Sequence, residues 1–273
     1  MIDVPSPPPP PVTVARVRSW KHEPAPFAML TAYDATTAAI LAEAGIPLLL
    51  VGDSVGDNVL GHATTVPVTL EDMLHHTRAV ARGAAGSLVI ADLPFGSYQV
   101  DVDEGMRAAL RLVKEGGAHA VKAEGGTRVS ELARRLVEAG VPFMGHLGLT
   151  PQSVHEMGYR VQGRGPEAAE GILADAQALE AAGAFAIVLE GVPASLGKAV
   201  TDAVGVPTIG IGAGADTDGQ VLVVHDLLGL SPGPPPRFVK AYADLRGVIT
   251  DAVRAFADDV AAGVFPAPEQ RYE

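Results

Sequence analysis

Short, wholly apolar runs alternate along the chain with longer segments whose apolar residues recur at helical spacing. The sharpest short run is Leu48 to Gly56, LLLVGDSVG, in which four apolar residues lead into Gly52, Asp53 and Ser54. Such a run suits a strand buried on both faces, and its glycines let the backbone turn tightly where the strand stops. Leu88 to Phe95, LVIADLPF, repeats the design and meets Asp92. Phe27–Tyr33, His119–Ala123, Val141–His146, Phe185–Leu189, Pro207–Ile211 and Val221–Val224 read as the remaining strands.

The intervening segments read as helices. Asp34 is placed to cap a helix over Ala35–Ala44 that Gly45 stops. Thr69 and Asp72 have capping-box spacing, ahead of a stripe of Leu70, Met73, Leu74 and Thr77. A helix starting at Asp103 is predicted to bury Met106, Ala109, Leu110 and Val113, and the next to bury Val129, Leu132, Ala133 and Leu136. Further helices are predicted over Glu167–Ala182, over Ala194–Val204 and from Leu245 past Phe256. Gly56–Pro67 and the stretch GLTPQSVHEMGYRVQGRG read as loops, the former long enough to reach over a site.

Strand and helix alternate eight times, which implies βα units and a parallel sheet. The length of 273 residues is close to the roughly 250 of a (β/α)8 TIM barrel. The prediction is a single barrel over residues 14–273, with no linker or sequence repeat, behind a mobile proline-rich arm, residues 1–13.

Composition narrows the function. Hydrophobic residues make up 48% of the chain, enough for a sizeable core, and no apolar run approaches the roughly 18 residues of a membrane span. A formal net charge of −12 argues against nucleic-acid and acidic-membrane partners. The absence of cysteine excludes disulfides, thiolate metal sites and cysteine nucleophiles, and fits the cytoplasm. The opening MIDVPSPPPPPVTV has no basic start followed by an apolar run, so no secretory signal is expected.

The strand ends hold the candidate chemistry. Asp53, Asp92, Lys122, Glu124, His146 and Glu190 stand at the carboxyl ends of strands two to six, where a barrel gathers its active site. Two strand-end aspartates suit a hard cation such as magnesium or manganese, since zinc prefers His and Cys. Lys122 offers a cation to a substrate carboxylate and Glu190 a base. Together they suit proton abstraction beside a carbonyl, with a metal stabilising the enolate. Blander readings stand beside this one. Each carboxylate could be a helix cap or ion-pair partner, Lys122 and Glu124 could simply pair, and His146 could be a satisfied buried histidine. His75 and His76 read as structural, and His225 and Asp226 as caps of the last strand. The alternating glycines of IGIGAG are not a dinucleotide fingerprint. They allow either phosphate binding or tight turning.

The phrases TAYD, VGDSVG, ADLPFGSY, VKAEGG, GHLGLTPQSV, VQGRG, LEGVP, IGIGAG and TDGQVLVVHD follow one another in an order that resembles the ketopantoate hydroxymethyltransferase family, from about Val14 to Phe265. The resemblance implies a barrel of the phosphoenolpyruvate mutase/isocitrate lyase-like group. It implies Mg2+-dependent transfer of a one-carbon unit from 5,10-methylenetetrahydrofolate to 3-methyl-2-oxobutanoate, on the route to pantothenate and coenzyme A. It also implies a homo-oligomer, commonly a decamer. Carried over by motif, Asp53 and Asp92 ligate the metal and Glu124 reaches it through water. Ser54 and Lys122 bind the substrate carboxylate, Glu190 is the acid/base residue and His146 lines the pocket. Three departures stand out. Met157–Gly158–Tyr159 offers one glycine where the family usually has two, which predicts a shorter or differently hinged loop. Ala123 leaves less bulk beside Lys122 and Glu124, and SPGPPPRF is unusually rich in proline. The competing readings are a magnesium-dependent 2-oxoacid lyase of the same barrel group, which usually carries a catalytic cysteine, and a catalytically silent metabolite-binding barrel.

Overall fold

Eight parallel strands close a barrel in chain order in the computed structural model, which describes residues 10–231 and 233–272. They are β1 (Phe27–Thr31), β2 (Leu48–Val51), β3 (Leu88–Asp92), β4 (Ala120–Glu124), β5 (Phe143–Gly148), β6 (Ala186–Glu190), β7 (Thr208–Ile211) and β8 (Gly219–Leu222). The chain divides into two compact units, residues 1–223 and 224–273, and every strand belongs to the first. Residues 1–9 of the expected arm lie outside the described residues. Val12 N–H donates to Gly86 O at 2.8 Å.

Successive residues of a strand point to opposite faces, so every second residue faces the barrel interior. Met29, Leu48, Leu50, Leu88, Ile90, Ala120, Met144, Ala186, Val188, Ile209 and Val221 fill that interior as one buried cluster. Alternate residues such as Val89, Val121, Phe143, Ile187 and Leu189 are also buried. This double burial explains the uninterrupted apolar runs. A helix over Val14–Ser19, capped by Thr13, adds the fully buried Val17 to the interior cluster, with Trp20 and Phe27 packed against it. At six residues it is too short to show a periodicity in sequence.

Several predicted caps are present. Asp34 accepts from Thr37 N at the start of Ala35–Glu43, and Thr69 and Asp72 form a reciprocal capping box ahead of Leu70–Gly83. Three expectations need correction. The helix expected from Asp103 is Val102–Lys114, capped by Asp101, while Asp103 pairs with Arg135. Its buried face is Gly105, Ala108, Ala109 and Leu112, and Leu110 is 44% exposed. The cause is close packing: a Cβ on Gly105 would lie 3.0 Å from both Leu132 and Tyr98, so small residues form the contact. The last strand is Gly219–Leu222, not Val221–Val224. It opens opposite Phe27, whose ring would stand 2.6 Å from a Cβ on residue 219, so the strand starts on a residue without a side chain and hides from an apolar-run reading. His225 and Asp226 therefore sit in the short helix Val224–Leu227.

The second unit is tied within itself. Tyr242 N and Leu245 N donate to Leu227 O and Leu228 O, and Asp244 caps the long helix Leu245–Ala261. That helix buries no residue, and Val248, Ile249, Val253, Phe256 and Val260 are exposed along it.

Candidate active site

The interior rows of the barrel change character at their carboxyl ends. Leu88 and Ile90 lead to Asp92, Ala120 to Lys122 and Glu124, Met144 to His146, and Ala186 and Val188 to Glu190. The same period of two that fills the core thus aims these groups into one pocket. Register sets the neighbours: Asp92 stands opposite Lys122, Glu124 opposite His146, and Gly148 opposite Glu190. A Cβ on Gly148 would lie 2.1 Å from Glu190 O, so only glycine allows that approach.

Asp53 follows β2 and its N–H donates to Asp92 Oδ2 at 3.1 Å. A Cβ on Gly52 would stand 2.8 Å from Ser54 Oγ, so a side chain here would displace the serine hydroxyl. Lys122 Nζ pairs with Asp92 Oδ1 at 2.8 Å, both side chains 4% exposed. The simple Lys122–Glu124 pair entertained from sequence is not formed, because strand register gives Lys122 to Asp92. Burial alone would lower the Lys122 pKa, but Asp92, Glu124 and Asp53 more than offset it and hold the ammonium above its usual value. Burial, and then Asp92, push the Asp53 carboxyl up to about 7. Burial, and then Asp53, push Glu124 well above the usual range.

On the other side of Lys122 stands His146, its Nδ1 3.2 Å from Lys122 Nζ. An ammonium can only donate, so Nδ1 accepts. Burial, then Lys122, hold the imidazole far below its usual pKa, and the neutral ring carries its proton on Nε2. That nitrogen lies 3.3 Å from Glu190 Oε2, and Nδ1 lies 3.6 Å from Glu124 Oε1. Burial pushes the Glu190 carboxyl up to about 7, with Lys122 opposing, although 18% of its side chain remains exposed. Six of the seven residues singled out from the sequence are therefore linked in one constellation, and Ser54, next in the chain to Asp53, bonds to the Tyr33 hydroxyl at 2.8 Å.

Sequence reasoning missed the groups that hold this constellation. Gln152, in the loop after β5, donates from Nε2 to Asp53 Oδ2 and to Leu93 O, each at 2.9 Å. Its main-chain N–H donates to Glu124 Oε2 at 3.0 Å. Its Oε1 accepts from Tyr98 at 2.7 Å and from Gln99 Nε2 at 3.1 Å. These residues lie in loops, where no periodicity marks them. The only signal was their place just beyond strand ends. The loop continues over Gly158, whose φ is +63°, and Gln162 N–H fastens it to Gly191 O beside Glu190. Gly212 and Gly214 of IGIGAG also have positive φ, as tight turning requires.

A divalent cation fits this donor set. Asp53, Asp92 and Glu124 are buried carboxyls clustered around one ammonium, so the pocket holds more acid than base. Glu124 Oε1 is buried without a hydrogen-bond partner. Oxygen donors with no thiolate suit magnesium or manganese. Among the described residues no three His, Asp or Glu side chains form a closed metal cage. A site of two carboxylates leaves coordination positions for a chelating substrate.

The fold and sequence have known counterparts. Streptomyces platensis phosphoenolpyruvate phosphomutase superposes with a TM-score of 0.62 at 15% identity, covering 92% of this chain and 88% of that one. A 2,3-dimethylmalate lyase, a member of the phosphoenolpyruvate mutase/isocitrate lyase superfamily, gives 0.58 at 16% identity, covering 95% and 91%. These likenesses show the fold. The 3-methyl-2-oxobutanoate hydroxymethyltransferase of Streptomyces coelicolor is 56% identical over 258 residues, 94% of this chain and 89% of that protein. That of Frankia casuarinae is 57% identical over 261 residues, 95% and 88%. The description of the ketopantoate hydroxymethyltransferase family matches residues 11–268, and the chain belongs to that family.

Proposed function

We infer that this enzyme transfers a hydroxymethyl group from 5,10-methylenetetrahydrofolate to 3-methyl-2-oxobutanoate, giving 2-dehydropantoate, with Mg2+ as its cofactor. The observation that supports the reading is one chain of contacts, Asp53–Asp92–Lys122–His146–Glu190, with two carboxyls suited to a cation at one end and a carboxyl suited to a base at the other. Asp53 and Asp92 would hold the metal, with Glu124 reaching it through water. When bound, Mg2+ supplies Lewis-acid polarisation of the 2-oxoacid carbonyl, which acidifies the neighbouring C–H.

The protein's own groups do the rest. Lys122, held charged by its carboxylate neighbours, and Ser54 bind the substrate carboxylate. Glu190 takes the proton from C3. Its carboxyl at about 7 is basic enough to accept that proton yet still ionised in part at neutral pH. Neutral His146 lines the pocket, with its Nε2 3.3 Å from Glu190 Oε2. The exposed apolar row Ile249, Val253, Phe256 and Val260 supports a homo-oligomer, as large as the decamer common in the family, and the acidic charge and cysteine-free composition support a cytoplasmic setting.

The test is deuterium exchange at C3 of 3-methyl-2-oxobutanoate, followed by NMR in D2O with Mg2+ and no folate. Wild-type protein should exchange the proton, and Glu190→Gln should slow exchange by about 10²-fold or more. Exchange at the wild-type rate in that variant would remove Glu190 as the base. No exchange and no folate-dependent turnover in the wild type would sink the reading as a whole.

A further inference from the structure

The residue Gln152, in the loop after β5, is where the ends of β2, β3 and β4 meet. Its side-chain amide touches Asp53 beyond β2, Leu93 beyond β3, and Tyr98 and Gln99 in the loop that follows, while its backbone N–H touches Glu124 at the end of β4. The amide is fully used. Nε2 meets the Asp53 carboxyl and the Leu93 carbonyl, and the carbonyl can only accept. Oε1 meets a hydroxyl and an amide N–H that donate, which fixes the amide orientation. Tyr98 O–H is held in its turn by the N–H of Glu124 at 3.2 Å, and Gln99 by its own Oε1, which accepts from Gly96 N–H at 2.7 Å. Gln152 is buried, so no water competes for these bonds.

We propose that Gln152 is the positioning residue of the cation site, holding Asp53 by one carboxylate oxygen and Glu124 by its main-chain N–H. The proposal rests on reading the two aspartates as metal ligands. With Oδ2 bound to the amide, Asp53 has a fixed orientation and its other oxygen a fixed direction. Without the amide, the side chain is free to rotate, and ordering it falls to the cation. Partners of this kind behind a ligand typically change metal affinity by about 10- to 100-fold. The bond to Glu124 comes from the backbone and survives any substitution, so side-chain variants isolate the contact with Asp53.

The experiment titrates Mn2+ into the full-length protein and follows free Mn2+ by electron paramagnetic resonance. Steady-state kinetics with 3-methyl-2-oxobutanoate run in parallel. Gln152→Met removes the donor at similar volume. Gln152→Asn keeps an amide but shortens the side chain by one methylene, a milder change for the fold. Both should weaken Mn2+ binding by about 10-fold or more and raise the KM for the 2-oxoacid. Excess metal should restore kcat towards wild type, which a merely structural defect would not allow. Wild-type Mn2+ affinity in either folded variant would overturn the role of Gln152 alone. Failure of the wild-type protein to bind Mn2+ would overturn the cation site and this proposal together.

Discussion

Lys122 illustrates how much one residue's surroundings decide. It is buried against Asp92 at 2.8 Å and His146 at 3.2 Å, so it both neutralises a carboxylate and adds to the burial that keeps the imidazole uncharged. Lys122→Met should raise the KM for the 2-oxoacid. It should also leave Asp92 buried without its partner, a loss on the order of 3–5 kcal/mol for a broken buried pair. Thermal melting without metal should show that loss, and added Mg2+ should recover much of it. An unchanged kcat/KM would mean that Lys122 serves only Asp92. Glu190 gives a second residue-scale outcome. Its base form fills as pH passes about 7, so the C3 exchange rate should rise through that pH and level off above it. A wild-type profile flat from pH 5 to 9 would contradict a titrating Glu190. Asp92, Lys122, Glu124, His146 and Glu190 were legible in the sequence because each continues an apolar strand whose period of two fixes its direction, and Asp53 because it closely follows one. Gln152, Tyr98 and Gln99 were not, because a loop residue's direction depends on a backbone path that no repeat encodes.

At the scale of elements, the strands were read more accurately than the faces of the helices. A strand buried on both sides needs apolar residues at every position, and that density survives small errors of register. A helix is sided, and on Val102–Lys114 large apolar residues misled the reading. The contact is made by Gly105, Ala108, Ala109 and Leu112, because close approach to Tyr98 and Leu132 favours small side chains. The two leucines of this helix therefore make a direct test. Leu112→Ala should destabilise the protein by about 2–5 kcal/mol, as for other buried leucines. Leu110→Ala should stay within about 0.5 kcal/mol, as expected for an exposed position. Denaturant unfolding of the two variants separates them, and equal losses would put the helix on the wrong face. Capping was legible for a local reason. Asp34 and Thr69 bond to backbone groups three residues away, so sequence spacing alone specifies the contact.

For the molecule as a whole, the eightfold alternation specified the barrel, whereas the separation of residues 224–273 into a second unit was not legible. The long helix of that unit has amphipathic spacing like a barrel helix, and nothing local shows that its apolar residues stay exposed in one chain. The barrel's pocket also has a consequence for the stability of the entire protein. Without metal, burial raises the carboxyls of Asp53 and Glu190 to about 7 and moves Glu124 well upward. In an unfolded chain these groups titrate near 4. Between those values the folded protein binds more protons than the unfolded one, so stability falls as pH rises. His146 acts in the opposite sense, because its depressed pKa makes the unfolded state the better proton acceptor below about 6.5. His119, also held below its usual pKa by burial, acts as His146 does, but three raised carboxyls outweigh two lowered imidazoles, and above about 6.5 the imidazoles contribute no further slope. Metal-free protein should therefore melt at progressively lower temperature from pH 5 to pH 8. On the proposed metal reading, saturating Mg2+ would bind the ionised carboxylates of the folded state alone, so it should raise the melting temperature most at pH 8 and flatten the profile. The measurement is a series of thermal melts in chelator and in Mg2+ across that range. Melting temperatures that rise with pH in chelator would show that the buried carboxyls do not carry the raised pKa values assigned to them.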